Sequence, residues 1–304
     1  MSPDAAYPRV QILVLNYNGL EDTRRCVSSL LADGGAAPSD IVIVDNGSSD
    51  GSPAELRRSF PGVRLVEHGR NLGYAEGYNK VLEKLMSEGK QSFLLLNNDT
   101  IVHKDSLGRM EETLHASPDT GIVGPAIIDM GTAKIQSMGI SANWWRGKSP
   151  PRNGAKDYGS VPHGVEDVDF VSGSAMLIGR EVIEKVGAFP SHFFLYSEEK
   201  DLCFRAKKAG YRVVCDSRAV VEHRKESTVR RYPELQAYYV TRNRFLVTKR
   251  HAGLVHLMTF TFWMLLVEVP FSLYQAGVAG NGVGLATLKG MLRGLVMAAN
   301  EPRF

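Results

Sequence analysis

Short apolar runs alternate with longer amphipathic stretches over the first hundred residues of the chain. The apolar runs have the length of buried strands and lie at residues 10–15, 41–44, 63–67 and 93–96. The amphipathic stretches predict helices at residues 21–31, 53–59 and 75–87. Ser52 is the predicted N-cap of the second helix, with Pro53 at the first helical position, where its missing N–H costs little. This alternation predicts βαβ units and a largely parallel sheet.

The middle of the chain is less regular. Further strands are predicted at residues 121–128, 168–178, 211–214 and 219–222, and a helix at residues 197–209. Residues 129–168 are rich in Gly, Pro and Ser and predict a long loop, which is usually functional or disordered. From about Tyr232 onward the pattern is helical to the end.

The most apolar stretch lies at residues 254–269 and contains His256 and Glu268, with Pro270 directly after it. A transmembrane helix needs about 20 apolar residues, so this stretch is shorter than a typical span. Basic residues precede it, namely Arg242, Arg244, Lys249 and Arg250. Such a pattern is typical of an interfacial anchor on an anionic membrane. A buried core helix or a dimer helix is the alternative, because periodicity does not separate these cases.

Composition narrows the possible fold class and the cellular compartment of the protein. The chain has 304 residues, 43% apolar and 23% charged, so we expect one large α/β domain with an appendage, or two domains. No Lys- or Arg-led apolar segment opens the sequence, so no secretory signal is expected. Cys26, Cys203 and Cys215 are too scattered for a disulfide framework or a zinc site, which favours a reducing compartment.

The net charge of +3 is unevenly distributed along the chain. From Cys203 onward sixteen Lys and Arg residues oppose six Asp and Glu residues, so a basic tail follows an acidic body. A basic tail predicts an anionic partner, such as a phosphate, a membrane surface or a nucleic acid. We expect no nucleic acid, because the basic residues cluster beside an apolar helix and no recognition motif is present.

Polar residues follow each of the first four predicted strands, at residues 16–19, 45–51, 71–74 and 97–100. The carboxyl ends of parallel strands meet at one edge of a sheet, so these residues should line a crevice there. Asp99 at this edge can hold a divalent metal against a phosphate, because hard cations prefer oxygen ligands. Asp45, Asn18 and Asn71 can bond a base or a ribose. Each segment taken alone is also typical of a turn.

Two common nucleotide-binding fingerprints are absent from the sequence. No GxGxxG follows the first strand, which argues against a dinucleotide oxidoreductase. No GxxxxGK[ST] loop is present, which argues against a P-loop ATPase. Something other than a glycine cradle must therefore neutralise phosphate charge, and Asp99 with a metal ion is the available group.

The second half of the chain offers a catalytic base. Glu198 and Glu199 follow the aromatic run at residues 193–196, which can shape a ligand pocket. A carboxylate at the rim of such a pocket can take a proton from a hydroxyl. Helix capping explains the same residues, since Ser197 is a good N-cap and the helix dipole favours acids in the first turn.

His223 ends a later predicted strand and can bind Mn²⁺ beside Asp99. A structural histidine is the alternative. Arg224 and Arg230 follow and can close over a diphosphate. The alternative for these two residues is a solvated basic face.

In this order and at these spacings, the segments resemble the inverting glycosyltransferases of family 2. The likeness is strongest to bacterial rhamnosyltransferases and to cell-wall and O-antigen glycosyltransferases, and it covers about residues 9–250. It rests on residues 16–18, 44–51, 71–79, 96–99 and 198–205. The resemblance implies the α/β GT-A fold, with a Rossmann-like, mostly parallel central sheet flanked by helices and a helical C-terminal extension.

The resemblance also divides the chain. Residues 1–250 would form the catalytic domain, with a nucleotide-sugar half at about residues 1–100 and an acceptor half at residues 101–250. Residues 251–304 would form a helical, membrane-associated segment.

By the same resemblance, Asp45 would contact the base or ribose of a nucleotide sugar. The implied donor-binding set is Asn16, Asn18, Asp45, Asn46, Asn71, Gly73, Asn79, Asn97 and Asn98. Asp99 stands where the family has its metal-binding DxD motif, and with His223 it would hold Mg²⁺ or Mn²⁺ on the diphosphate. Arg224 and Arg230 would also contact that diphosphate.

Glu199 stands at the position of the family's base, with Glu198 and Asp201 as competing candidates. It would deprotonate the acceptor hydroxyl as that group attacks the anomeric carbon from the face opposite the leaving group. The candidates for stacking on the acceptor are Trp144, Trp145, Phe194 and Tyr196.

The resemblance thus implies an inverting, metal-dependent transferase that moves a sugar from dTDP-rhamnose or a UDP-sugar to a lipid-linked or cell-surface glycan. We expect it in the cytoplasm, peripheral at the inner face of the cell membrane, and its apolar tail also allows a homo-oligomer. A sugar-phosphate nucleotidyltransferase is one alternative, but it would need a Gly-rich basic loop that residues 16–19 lack. A catalytically inactive nucleotide- or glycan-binding module of the same fold is the other.

Overall fold

The computed structural model describes residues 10–32, 35–147, 149–224, 232–277 and 282–301. Within these ranges, one sheet contains the strands β1 (Gln11–Asn16), β2 (Ile41–Asp45), β3 (Arg64–Glu67), β4 (Ser92–Asn97), β5 (Thr100–Val102), β6 (Thr120–Asp129), β7 (Ile135–Ser137), β8 (Val165–Asp167), β9 (Ala175–Gly179) and β10 (Arg212–His223). The helices are α1 (Leu20–Ala32), α2 (Ser52–Ser59), α3 (Gly73–Ser87), α4 (Ser106–His115), α5 (Arg180–Val186), α6 (Glu198–Lys208), α7 (Pro233–His251), α8 (Leu254–Trp263), α9 (Val269–Gly277) and α10 (Gly282–Asn300).

The strand order is β3-β2-β1-β4-β9-β6-β10-β5, with β7 on β6 and β8 on β10. The first four strands in this order are parallel, and so are β6 and β10. β9 runs antiparallel between β4 and β6, so the second half of the sheet is mixed. The predicted α/β sheet flanked by helices is confirmed. The register pairs Asn16 with Asp45 and Leu15 with Asn97, which brings the polar ends of three strands to one level.

The central strands β1, β2, β4 and β9 are buried on both faces, which explains why they read as continuous apolar runs. Successive side chains of a strand point to opposite faces, so Ile12 and Val14 join one core cluster and Leu13 joins the other. The first cluster packs α1 on the sheet through Val27, and the second packs α3 through Tyr78. The parallel half of the sheet is thereby a rigid base for the loops at its carboxyl edge.

Several predicted boundaries differ from the structure. The predicted strands at residues 211–214 and 219–222 are one strand, β10, with a register shift between Asp216 and Val220. The predicted strand at residues 168–178 is shorter, since β9 begins at Ala175. The predicted N-cap Ser52 is wrong, because α2 already begins there and Gly51 is the N-cap. The predicted long loop also contains β7 and β8, and β5, α4 and α5 were not predicted.

The predicted helical C-terminal part is confirmed, but its apolar helix is longer than the predicted stretch. α8 continues through a π-helical turn at Met264–Glu268 into α9, which gives one helix over Leu254–Gly277. A π turn relaxes the backbone ladder, so the helix passes Pro270 without ending. Within the described residues, Leu254–Gly277 and Gly282–Asn300 are long and apolar enough to cross a membrane.

Helix α10 packs closely on α7 because small residues face the contact. A Cβ added at Gly290 would lie 2.5 Å from the carbonyl oxygen of Tyr238, and one added at Gly294 would lie 2.8 Å from that of Arg242. The close packing holds α7 in place against the rest of the chain. The division at residue 250 remains a prediction.

Candidate active site

The carboxyl ends of β1 and β2 are joined by side-chain hydrogen bonds. Asn16 is buried and donates through Nδ2 to Asp45 Oδ2 at 2.8 Å and to Ser48 Oγ at 3.1 Å. Asp45 is also buried, and its Oδ1 accepts from the main-chain N–H groups of Gly47 and Ser48 at 3.1 and 2.9 Å. Both residues therefore fix the shape of this edge through bonds within the protein.

The loops after β1, β2 and β3 meet at the same edge. Asn46 donates through Nδ2 to Asn71 Oδ1 at 3.2 Å and to the carbonyl oxygen of Gly73 at 3.0 Å. Asn18 accepts at Oδ1 from the main-chain N–H of Ser49 at 2.7 Å. The structure thus brings these predicted donor-binding residues together with Asn16 and Asp45.

Gly73 joins this edge to the second half of the chain. Its φ is +76°, and a Cβ added there would collide with the carbonyl oxygen of Phe194. The next residue, Tyr74, donates its main-chain N–H to the same oxygen at 2.7 Å. The start of α3 is therefore docked against the aromatic run that precedes the candidate base.

Two other residues of the predicted donor-binding set brace the framework. Asn79 donates through Nδ2 to the carbonyl oxygen of Phe189 at 2.7 Å and accepts from its N–H at 3.1 Å. Asn98 donates through Nδ2 to Thr23 Oγ1 at 3.0 Å, back toward the start of α1. Asn97, in contrast, ends β4 as a half-exposed side chain.

Asp99 and His223 face each other. β5 runs antiparallel to β10 and places Thr100 opposite His223, so His223 Nε2 lies 3.3 Å from Asp99 Oδ1. Gln136 orients the imidazole through Oε1, 2.9 Å from His223 Nδ1. Its Nε2 donates to Asp129 Oδ1 at 2.8 Å, so Oε1 remains the acceptor. His223 therefore donates from Nδ1 and places Nε2 next to Asp99, so that Nε2 is the ring nitrogen that would bind a metal.

This pair fits a divalent cation. A carboxylate with an imidazole suits Mn²⁺, and a carboxylate suits Mg²⁺. Ligands in neighbouring octahedral positions, each about 2.1 Å from the ion, lie roughly 3 Å apart, which is close to the observed separation. Among the residues that the structure describes, no group of three His, Cys, Asp or Glu side chains could hold a metal. The pair thus provides two of the ligands of such an ion.

Arg224 lies beside the Asp99–His223 pair. Its main-chain N–H donates to the carbonyl oxygen of Asp99 at 2.9 Å. Its guanidinium pairs with Asp22 of α1 at 3.0 Å and is half-exposed. The other arginine predicted to contact a diphosphate, Arg230, lies outside the described residues.

Glu198 and Glu199 begin α6 in different surroundings. Glu198 is 3% exposed, and its Oε2 has no hydrogen-bond partner within the described part of the chain. Glu199 is half-buried and lines a cavity. Burial raises the pKa of both carboxyl groups, and repulsion by Glu199 raises the pKa of Glu198 further. Glu199 is thus the carboxyl group that can meet a ligand, whereas Glu198 is buried away from the cavity.

Asp201, the other competing candidate, is structural. Its carboxylate is fully buried and bonds Arg205, Arg250 and His251, each at 2.7 Å. Burial alone would raise the pKa of Asp201. The hydrogen bond from His251 and the two arginine charges outweigh burial and hold that pKa well below its usual range. A carboxylate enclosed by two arginines and a histidine is poorly placed to reach a substrate or to accept its proton, so the geometry favours Glu199 over Asp201 as the predicted base.

Replacing Asp201 by Asn should lower the free energy of unfolding by about 3–5 kcal/mol, because buried Arg205 would lose its counter-charge and buried Arg250 would keep only Glu301. Denaturant unfolding of the purified protein measures this loss. The matched control is Asp167→Asn, which removes an exposed carboxylate paired with Arg212 at 2.9 Å. That change should cost about 1 kcal/mol or less. Equal losses for both variants would contradict the structural role of Asp201.

One short loop lies between the candidate base and the end of β4. The carbonyl oxygen of Ser174 accepts from the N–H of Asn97 at 3.0 Å, at the end of β4. The carbonyl oxygen of Gly173 accepts from Tyr74 Oη at 2.7 Å. A Cβ added at Gly173 would lie 3.6 Å from Cβ and Cγ of Glu199. Glu199 and the end of β4 therefore flank the same loop.

The turn before the candidate base is strained. Tyr196 and Ser197 have φ values of +69° and +72°, which non-glycine residues rarely adopt and which cost about 1–3 kcal/mol each. Asn243 of α7 is fully buried and donates through Nδ2 to the carbonyl oxygens of Leu195 and Tyr196 at 2.8 and 2.6 Å. Asn243, which sequence patterns did not single out, thus holds the turn that presents Glu199.

Asn243→Asp should reduce kcat more than tenfold and leave donor affinity within twofold, because two carbonyl oxygens would face a carboxylate in place of a donor. Steady-state kinetics and donor titration measure the two quantities separately. Asn300→Asp makes the same chemical change at an exposed position and should change neither kcat nor donor affinity. Equal losses of kcat and donor affinity in Asn243→Asp would indicate general misfolding and contradict the positioning role.

The predicted acceptor-stacking aromatics are in different environments. Trp144 packs on Phe204, with ring centres 4.9 Å apart, and Lys200 Nζ lies 4.6 Å from the centre of its ring. Trp145 is 54% exposed and meets His256 edge-on at 4.5 Å.

The other two predicted stacking residues precede the base. Phe194 stacks on Tyr239 of α7 at 5.1 Å. Tyr196 is half-buried in the strained turn, and burial raises the pKa of its phenol to about 12.

A cavity of about 390 Å³ opens beside the base, between α6 and α7. Its apolar wall includes Val240 and Val247, and its charged groups are Glu199, Lys200 and Arg244. Its size and mixed lining are typical of small-ligand sites.

Comparison with known proteins agrees with this geometry. The sequence pattern of Glycosyl transferase family 2 matches residues 11–187. Over 251 residues the chain is 28% identical to the low-salt glycan biosynthesis hexosyltransferase Agl10 of Haloferax volcanii, covering 79% of this chain and 75% of that protein. Over 236 residues it is 28% identical to the N-acetylglucosaminyl-diphospho-decaprenol L-rhamnosyltransferase of Mycobacterium tuberculosis, covering 71% of this chain and 76% of that one.

Solved structures share the fold. The mannosyltransferase PcManGT from Pyrobaculum calidifontis, in complex with GDP-Man and Mn²⁺, matches with a TM-score of 0.56 and 17% identity. The match covers 97% of this chain and 87% of that one. GalNAc-T7 with UDP, GalNAc and Mn²⁺ matches with a TM-score of 0.60 and 13% identity, over 90% of this chain and 58% of that one. The predicted GT-A fold is confirmed.

Proposed function

Because the chain belongs to glycosyl transferase family 2 and is a glycosyltransferase, we propose that it is an inverting, metal-dependent enzyme that uses a nucleoside-diphosphate sugar. The observation that carries this proposal is the pairing of Asp99 with His223 at the edge where the polar strand ends meet, with Glu199 across one loop. Two solved relatives of the fold hold Mn²⁺ with a nucleotide or a nucleotide sugar, which supports the same ligand set here.

The proposed donor site is the carboxyl edge of β1, β2 and β4. Asn18, Asn71 and Asn97 are the predicted donor-binding side chains at its loops, while Asn16 and Asp45 keep the loops in shape. Asp99 and His223 would hold Mg²⁺ or Mn²⁺, and Arg224 would add positive charge near the diphosphate. When bound, such a cation supplies charge stabilisation for the departing phosphate oxygens.

Glu199 would act as general base in a single displacement. Its carboxylate accepts the proton of the acceptor hydroxyl as that oxygen forms a bond to the anomeric carbon. The bond from the anomeric carbon to the diphosphate oxygen breaks on the opposite face, and the nucleoside diphosphate leaves with the bonding electrons. The anomeric configuration is therefore inverted.

As the pH is lowered, the rate should begin to fall at a higher pH than it would with an ordinary glutamate as the base. Burial raises the pKa of Glu199 above its usual 4.5, and only the ionised form accepts a proton. The rate is then full above this raised pKa and is lost as the pH falls through it. A profile of kcat/KM against pH measures the acid limb. An acid limb with its midpoint at or below pH 4.5 would contradict the assignment of Glu199 as the base.

Rhamnose is the favoured donor sugar, from dTDP-rhamnose, with UDP-sugars next. This choice rests on the resemblance to rhamnosyltransferases. One relative of the chain is itself named as an L-rhamnosyltransferase. The proposed acceptor is a hydroxyl of a lipid-linked or cell-surface glycan, because the same relative is named for a lipid-linked acceptor.

We place the enzyme in the cytoplasm at the inner face of the cell membrane. Large apolar side chains are exposed along the helix Leu254–Gly277, among them Phe262, Leu266 and Phe271. A membrane surface would cover them, and the basic C-terminal part of the chain favours anionic lipids. The alternative is a homo-oligomer in which the same apolar side chains are buried between subunits.

Slow hydrolysis of the donor tests the reaction without a known acceptor. The protein is incubated with Mn²⁺ and each of dTDP-rhamnose, a UDP-sugar panel and GDP-mannose, and NMR follows the first anomer released. One donor should yield the inverted anomer first. Release of the retained anomer would overturn the inverting mechanism. Binding of a nucleotide sugar without hydrolysis or transfer would instead indicate the catalytically inactive module.

A further inference from the structure

The cavity beside Glu199 holds two buried cations. Lys200 is 7% exposed, and its Nζ donates to Ser149 Oγ at 2.9 Å and lies above the rings of Trp144 and Phe170. Burial lowers the pKa of Lys200 to about 8. The side chain of Arg244 is 13% exposed, and burial lowers the pKa of its guanidinium. Burying a cation is costly unless a counter-charge and hydrogen bonds compensate it.

The hydrogen bonds of Arg244 are incomplete within the described residues. One terminal nitrogen donates to the carbonyl oxygen of Arg146 at 2.6 Å, and the other lies 3.8 Å from Glu268, beyond hydrogen-bond distance. Its Nε is buried and has no hydrogen-bond partner in the described chain. Arg244 therefore lines the cavity with its hydrogen bonds incomplete, and a phosphate oxygen is a stronger partner for a guanidinium than a neutral group.

The cavity is separate from the proposed donor site. Its lining includes none of the residues at the carboxyl ends of β1, β2 and β4. Arg244, which lines the cavity, also contacts the apolar helix, because its guanidinium lies 5.6 Å from the ring centre of Phe260 and 3.8 Å from Glu268. Arg244 thus lies between the cavity and the apolar helix.

We propose that this cavity is the acceptor site, and that Lys200 and Arg244 bind the phosphate of a glycosyl phosphate or diphosphate carried on a lipid. The inference rests on the proposed function. A sugar joined through phosphate to a lipid matches the order of groups in the protein. Its hydroxyl meets Glu199, its phosphate meets Lys200 and Arg244, and its lipid chain continues along the helix that contains Phe260.

A binding experiment tests the phosphate site without knowing the acceptor sugar. The full chain, in neutral detergent with EDTA to keep the Asp99–His223 pair free of metal, is titrated with farnesyl diphosphate, farnesol and inorganic pyrophosphate. Farnesyl diphosphate should bind best. Arg244→Gln and Lys200→Gln should each weaken its binding at least tenfold, while Arg293→Gln, at an exposed cation of α10 outside the cavity, should not.

Three results would overturn the inference. Equal affinity for farnesol and farnesyl diphosphate would exclude a phosphate site. Unchanged affinity in both cavity variants would place the phosphate elsewhere. Equal, Arg244-dependent binding of pyrophosphate and farnesyl diphosphate would remove the lipid from the proposal and leave a soluble glycosyl phosphate. A parallel titration with nucleotide sugars and Mn²⁺ keeps the tests apart, since its failure would concern the proposed function alone.

Discussion

Glu199→Gln is expected to lower kcat by about a hundredfold to ten-thousandfold, the usual contribution of a general base. The amide fills the same volume but cannot accept the proton of the acceptor hydroxyl. Donor affinity should stay within about twofold, because Glu199 lies across the loop from the Asp99–His223 pair. Single-turnover transfer and donor titration on the same preparation measure the two effects.

The adjacent residue provides the matched control. Glu198 is buried, and burial and the charge of Glu199 raise its pKa, which favours the protonated form that the amide of Glu198→Gln resembles. We therefore expect Glu198→Gln to retain kcat within a few-fold. The reverse pattern, an inactive Glu198→Gln and an active Glu199→Gln, would assign the base to the buried residue and refute the present choice.

Asp99→Asn is expected to reduce metal-dependent turnover about a hundredfold or more, since charge stabilisation by a bound cation is worth several kcal/mol. The amide removes the negative charge that attracts the ion while keeping the shape of the strand end. His223→Gln should have a smaller effect, because it leaves the carboxylate in place. Initial rates measured against Mn²⁺ concentration should show a raised metal requirement for both variants.

Asp119→Asn makes the same change at an exposed carboxylate and should leave the metal requirement unchanged. If EDTA does not affect the wild-type rate, or if Asp99→Asn responds to Mn²⁺ as the wild type does, the metal role of the Asp99–His223 pair is wrong.

Local pattern predicted the parallel half of the fold well, for a physical reason. Strands β1, β2 and β4 are buried on both faces and connected through helices, so each one stands out as an apolar run with polar residues at its carboxyl end. Their neighbours in the sheet follow from the βαβ rule. The second half depends on non-local pairing, because β9 inserts antiparallel between β4 and β6.

The break that the sequence predicts within β10 shows the same limit of local pattern. Asp216 and Arg218 suggest a loop by sequence, yet Asp216 is fully buried and pairs with Arg218 at 2.8 Å and with Thr113 at 2.7 Å. The strand therefore continues through a bulge that these partners stabilise. A partner about a hundred residues away gives no local signal.

The residues of the site also fall into two groups, those that local sequence pattern reveals and those that depend on partners far away along the chain. Asp99, His223 and the acids of α6 could be singled out because each ends a strand or begins a helix. Sequence could not choose among Glu198, Glu199 and Asp201, since the choice depends on burial and partners. Gln136, Asn243 and Arg244 were missed as site residues because they act through groups far away along the chain. Their signal would have been a polar side chain among apolar positions, as Asn243 is in α7.

Calorimetric titration of the purified chain with dTDP-rhamnose, UDP-sugars and GDP-mannose, with and without Mn²⁺ and repeated on Asp99→Asn, tests the proposed donor and metal sites together. We expect one nucleotide sugar to bind, and its binding to need both Mn²⁺ and Asp99. Absence of binding to a folded protein, or binding that neither Mn²⁺ nor Asp99→Asn changes, would contradict this expectation.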